Sequence, residues 1–166
     1  LTLLAFFAFC SMASAVYILN DILDIEADRA HPVKRNRPLP SGTISLQLAK
    51  ILLGTLIFCS VMFSTLTSWW VLLFVISYLA MNILYSWRLK HIVILDVFII
   101  SAGFMLRILA GTVGLGIAPS AWLLLCGLMV TLFLGFAKRR AELLMLESSD
   151  YENSNLTRKV LDDYSP

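Results

Sequence analysis

Asn20-Asp21-Ile22-Leu23-Asp24-Ile25-Glu26-Ala27-Asp28 stands at the mouth of an apolar run that fills the chain up to Leu19. Continued as a helix, Asn20, Asp24 and Asp28 repeat every four residues and Asp21 falls three before Asp24. The four side chains then share one sector of about 100°. Three like-charged carboxylates on one helix face repel one another unless something positive sits among them. Hard oxygen ligands suit magnesium, which bridges a protein carboxylate or two to substrate phosphates. Asp and Asn also serve as ordinary caps and first-turn residues. This stripe is longer than a cap needs, however, and is followed at once by Lys34-Arg35-Asn36-Arg37-Pro38. Acid followed by base is the order a magnesium-diphosphate site requires. Asp21, Asp24 and Asp28 are therefore the candidate catalytic carboxylates, Asn20, Asp24 and Asp28 the candidate metal ligands, and Lys34, Arg35 and Arg37 the candidate phosphate contacts.

The chain around this stripe has 166 residues, 59% of them hydrophobic and 14% charged. That composition is far from an ordinary soluble domain and marks a membrane protein. The formal charge of +2 is small, and no nucleic-acid partner is expected. The chain opens on Leu1, already inside an apolar run, and stops at Pro166 in a charged stretch, so a longer protein is expected. Residues 1–19 carry no legible charged leader or cleavage site and are not read as a signal peptide. Cys10, Cys59 and Cys126 fall in separate apolar runs without CxxC pairing, and read as small buried hydrophobes.

Crossing a bilayer takes about 20 apolar residues. Five segments qualify, at roughly 1–19, 45–66, 69–87, 92–111 and 120–137, and each must be helical because lipid offers no partner to open backbone. The fold class is all-α, a polytopic transmembrane helix bundle in a single domain. The connections alternate in charge. Residues 20–44 carry Arg29, Lys34, Arg35 and Arg37; 88–91 carry Arg88, Lys90 and His91; the tail from 138 opens Lys138-Arg139-Arg140. Thr67-Ser68 and residues 112–119 carry no charge. By the positive-inside rule the charged connections face the cytoplasm, and Trp69, Trp70 and Trp122 suit the outer interfacial belt. The acidic stripe, Lys90 and the Lys138 cluster thus meet at one membrane face.

Within the first connection, Pro38 and Pro40 stop a helix, Ser41-Gly42 supplies a turn, and Thr43 or Ser45 can cap the next span. Asp96 and Arg107 lie inside the fourth span, where an ionisable group normally faces a partner or a polar cavity. Asp96, about one turn in, can also snorkel to the interface; Arg107 is open to a structural role. Ala102-Gly103, Ala110-Gly111, Gly127 and Gly135 read as close helix packing. Near residue 138, Lys138, Arg139 and Glu142 fall within one turn, so acid and base can meet there too.

The pattern Asn-Asp-x-x-Asp-x-x-x-Asp followed by Lys-Arg-x-Arg-Pro-x-x-x-Gly, at Asn20, Asp21, Asp24, Asp28, Lys34, Arg35, Arg37, Pro38 and Gly42, resembles the first signature of the UbiA superfamily of intramembrane prenyltransferases. The likeness runs on through Tyr85-Ser86, Leu89-Lys90 and Asp96 to the fifth span. It implies about five spans of a nine-helix bundle, with a lateral cavity and a magnesium-diphosphate site on the cytoplasmic side of the plasma membrane. Most members carry a second Asp-x-x-x-Asp, where this chain has Lys138-Arg139-x-x-Glu142-Leu143, and then Arg158-Lys159-x-Leu161-x-x-Tyr164-Ser165. That departure is similar to the decaprenyl-phosphate phosphoribosyltransferase branch. It implies magnesium-dependent transfer of 5-phosphoribosyl from phosphoribosyl diphosphate to a polyprenyl phosphate, toward cell-wall arabinan. Exchanging carboxylates for Lys and Arg replaces a second metal with direct cationic contacts to phosphate. Tyr85, Lys90, Lys138, Arg139 and Glu142 are the further candidate substrate contacts. The alternatives are a prenyl-diphosphate transferase making a quinone, haem or chlorophyll precursor, or a polytopic ion transporter, for which acidic groups at the bilayer midplane would be expected.

Overall fold

A computed structural model describes residues 1–32, 34–87 and 95–148, without side-chain detail at Trp87, Glu142, Leu143 and 145–148. Among the described residues all regular structure is helical: α1 (Thr2–Leu23), α2 (Ile25–Ala30), α3 (Leu46–Thr67), α4 (Trp69–Trp87), α5 (Leu95–Gly111) and α6 (Ala121–Ser148), with single 3₁₀ turns at Lys34–Asn36 and Val113–Leu115. Five of the helices are long and apolar enough to cross a membrane, as the sequence leads one to expect. Two boundaries differ usefully. Helix α1 runs past Leu19 to Leu23, so Asn20 and Asp21 are on its last turn. Helix α6 runs on to Ser148, so Lys138, Arg139 and Arg140 ride on the same helix as the fifth span, which extends past residue 137.

Helix α1 lies at the centre, packed most extensively on α3 and also against α4 and α5. Small residues permit the α1–α3 approach: the buried Ser60 hydroxyl donates to the Ala8 carbonyl at 2.6 Å, and Ser64 donates to the Ser60 carbonyl at 2.7 Å. In lipid there is little hydrophobic drive between helices, so such close backbone contact and satisfied hydroxyls supply the attraction. Phe9, Met12, Val16, Val71, Val75 and Tyr78 fill the space between α1 and α4. Gly103 has the side chains of Met81 and Tyr78 against it. Gly111, by contrast, has open space where a side chain would be, so close packing does not account for it.

The helix ends confirm the up-and-down order. Ser68 ends α3 and starts α4: its hydroxyl accepts from the Val71 N–H at 3.2 Å and donates to the Gly114 carbonyl beyond α5 at 2.5 Å. The two uncharged connections therefore meet at one end. At the other end Ser45 caps α3 by accepting from the Leu48 N–H at 3.2 Å. Exposed Trp69, Trp70 and Trp122 lie at the uncharged end.

Candidate functional site

The acidic stripe survives a break in the helix. Asp24 leaves the helical conformation (φ −98°, ψ 10°) between α1 and α2. Yet its N–H still donates to the Asn20 carbonyl at 2.9 Å, and the Asp28 N–H to the Asp24 carbonyl at 2.8 Å. The i to i−4 spacing is carried across, so Asp21 and Asp28 end within reach of a single group.

That group is Arg37. Helix α2 stops where His31 turns extended ahead of Pro32, a position that proline biases away from helix. The chain then doubles back through the Lys34–Asn36 turn, with the Arg37 N–H on the Lys34 carbonyl at 3.0 Å. The turn at 38–42 closes by Ile44 N–H to Pro38 carbonyl at 3.0 Å, and Gly42 takes a positive φ of 79° that a side chain would strain. Arg29 holds the returning loop from α2, its Nε donating to the Pro40 carbonyl at 3.4 Å. Arg37 Nη1 thereby lies 2.8 Å from Asp28 Oδ2 and 3.1 Å from Asp21 Oδ1. Asp28 is buried, whereas the Arg37 side chain is 46% exposed. The positive charge that the stripe demands is thus a guanidinium of the same loop.

His31 shapes the loop as a neutral base. Partial burial, then the nearby Lys34 charge, lowers its pKa from the ordinary value. Its Nδ1 accepts the Lys34 N–H at 3.3 Å, which requires that nitrogen to be unprotonated.

A second element joins at Asn20, whose Oδ1 accepts the Ser86 hydroxyl at 2.5 Å. This bond brings the Ser86 end of α4 to the stripe; Tyr85, the residue before it, is half-buried. Composition gave no hint of Ser86; its place at the same membrane end as Asn20 was the available signal. Lys34 and Arg35 stand exposed on the adjoining turn.

The cationic segment of α6 divides. Lys138 and Arg140 are exposed, while Arg139 is buried and its Nη2 lies 2.7 Å from Oδ2 of fully buried Asp96. Asp96 does not snorkel; it pairs with α6. Arg139 is correspondingly engaged inside the bundle, away from the exposed cations expected to meet phosphate. Lys90 lies outside the described residues, as does the side chain of Glu142. Arg107 stacks over Phe9 at 5.4 Å and Phe104 at 5.3 Å, in a groove of about 480 Å³ between α1 and α5. Cation–π contact of this kind gives the charge a partner within the membrane.

Among the described residues no three His, Cys, Asp or Glu side chains converge as a cage. Magnesium, however, is held by one or two carboxylates with substrate phosphates completing its shell. Asp21 and Asp28 about a common point, with Asp24 on the turn between them, fit that smaller requirement once Arg37 yields.

The model of the UbiA prenyltransferase family matches residues 1–143. The chain is 39% identical over 165 residues to a decaprenyl-phosphate phosphoribosyltransferase of Mycolicibacterium smegmatis, covering 97% of this chain and 49% of that protein. It is also 39% identical over 165 residues to the enzyme of that name from Corynebacterium glutamicum, covering 98% and 48%. For the Mycobacterium tuberculosis protein of that name the identity is 35% over 170 residues, covering 98% and 52%. The chain spans about half the length of the curated relatives it matches.

Proposed function

The chain belongs to the UbiA prenyltransferase family, and from that premise we propose that it transfers the 5-phosphoribosyl group of phosphoribosyl diphosphate to a polyprenyl phosphate. The observation that carries the reading is the Asp21–Arg37–Asp28 cluster at the inner ends of the helices, with Lys34 and Arg35 beside it. The name shared by the long-matching relatives supports phosphoribosyl transfer to a polyprenyl phosphate. The product, a lipid-linked ribose phosphate, would serve cell-wall arabinan at the cytoplasmic face of the plasma membrane.

In this mechanism Arg37 exchanges its carboxylates for the donor's diphosphate, and Lys34 and Arg35 add cationic contacts from the same turn. Asp21, Asp24 and Asp28, with Asn20, are then available to hold magnesium, which when bound neutralises diphosphate charge. An oxygen of the lipid phosphate forms a bond to ribose C1 while the bond from C1 to the diphosphate oxygen breaks. The bonding pair leaves with diphosphate. The nucleophile is already an anion, so no strong base is needed, and the rate comes from positioning and charge stabilisation. Tyr85 and Lys138 would orient the two substrates, with Lys90 and Glu142 proposed for the same task.

Membership of a prenyltransferase family keeps a polyprenyl diphosphate donor as the second reading. Membranes carrying the protein at its natural length, given labelled phosphoribosyl diphosphate or labelled polyprenyl diphosphate, separate the two. Label entering polyprenyl phosphate only from the first donor is expected; label only from the second overturns the reading. Cation flux in proteoliposomes without any lipid product would instead point to a transporter, although these carboxylates lie at a helix mouth rather than at mid-depth.

A further inference from the structure

Helix α6 packs chiefly on α5 and is little buried over its membrane-spanning length. Three of its residues, Gly127, Gly135 and Arg139, lie eight and four apart and so share a face. A Cβ added at Gly127 would lie 2.8 Å from Ile108 Cδ1, and one at Gly135 would lie 2.6 Å from Val97 Cγ1. Arg139 reaches Asp96 at 2.7 Å. The partners on α5 run in the reverse order, Ile108, Val97, Asp96, as antiparallel helices require. Glycine contacts let backbones approach but carry no direction, and the surrounding lipid is as apolar as the contact itself. The ion pair is the directional contact in this set. Both members are buried, and such pairs contribute little net stability against an apolar replacement, while loss of one partner takes a counter-charge from a buried group.

We propose that Asp96 and Arg139 are a positioning pair: they fix the register of α6 on α5, and thereby the height at which Lys138 and Arg140 stand at the inner mouth. The register is a property of the bundle alone. Its effect on substrate rests on the phosphoribosyl-transfer reading, through Lys138.

The test uses the natural-length protein in membranes with its own cysteines replaced and with Val97→Cys and Gly135→Cys introduced. An ideal Cβ at Gly135 lies 3.5 Å from the Val97 Cβ, at the near edge of the disulfide range of about 3.5–4.5 Å. Rapid crosslinking on oxidation is expected, slowed several-fold by Asp96→Asn or Arg139→Gln and restored by Arg139→Lys, which keeps the charge. The double variant Asp96→Asn with Arg139→Met should melt close to the parent yet crosslink as slowly as the single variants. Unchanged crosslinking in both single variants overturns the proposal, and so does a double variant that is destabilised as much as either single one. If Gly135→Cys prevents folding, spin labels at exposed Phe98 and Leu134 read the register instead; a slip of one turn moves α6 by about 5.4 Å, and an unchanged distance distribution in Asp96→Asn counts against the pair. In the transfer assay Asp96→Asn should raise KM for phosphoribosyl diphosphate several-fold with kcat nearly unchanged. An unaltered KM despite slowed crosslinking removes the link to Lys138. Absence of any transfer by the parent removes the functional reading and leaves the register result standing.

Discussion

Arg37 does for the resting protein what a divalent ion is proposed to do with substrate present: it lies between Asp21 and Asp28. Because the Arg37 and Asp21 side chains are 46% and 39% exposed, breaking that pair should cost under about 1 kcal/mol of stability. Asp24→Ala is expected to fold normally by circular dichroism while losing transfer activity by about 10²-fold or more, the scale of removing a transition-state electrostatic contact, and Asp28→Ala to lose activity likewise at some cost in stability, since it removes a buried partner of Arg37. Near-normal turnover of purified Asp24→Ala would rule out the proposed metal site. His31 offers a pH test. Its folded pKa is depressed, so its neutral form is favoured in the fold; that contribution is present above the unfolded pKa and is lost as pH falls through the folded one. The Lys34 amide, which donates to His31 Nδ1, should then exchange faster than its intrinsic rate predicts as pH falls through the folded pKa, and His31→Gln should abolish that extra acceleration. The stripe itself was legible from four-residue spacing. The identity of its counter-charge was not, because it depends on a loop returning across nine residues to Asp28.

At the scale of elements, spans and caps were readable because apolar length and Ser, Pro and Gly placement are local signals. Ser45 caps α3 as its position suggests, and Ser45→Ala should lower stability by about 1 kcal/mol. What stayed hidden was which face of α6 turns inward. The signal existed in the four-residue step from Gly135 to Arg139, but reading it required knowing that Val97 and Asp96 stand opposite. Gly135→Ala should cost about 1–3 kcal/mol, since the added methyl meets the stiff, branched Val97 at 2.6 Å. Gly127→Ala should cost less, because the end of the flexible Ile108 side chain can move aside. Melting temperatures of the two variants in one detergent decide the order.

For the whole molecule, the alternation of charged and uncharged connections allowed the up-and-down topology to be drawn from sequence, and the bonds at Ser68, Asn20 and Asp96 agree with it. Orientation in the membrane follows from charge bias alone. Single cysteines at Lys34 and Ser120 test it: a membrane-impermeant maleimide added to intact cells should label the second and spare the first, and the reverse pattern inverts the proposed sidedness.

The Ser68 hydroxyl sews the α3–α4 turn to the α5–α6 connector through a backbone carbonyl. Among the described residues the opposite rim is joined by side-chain contacts at Asn20–Ser86 and Asp96–Arg139. Among the described residues the bundle is thus stitched along one hem and buttoned along the other. A pivot of about 3° at the stitched end, acting over a lever of about 30 Å, moves the buttoned edge by about 1.5 Å. Separation of the helices by that distance at the carboxylate end would leave the Ser68 contact in place.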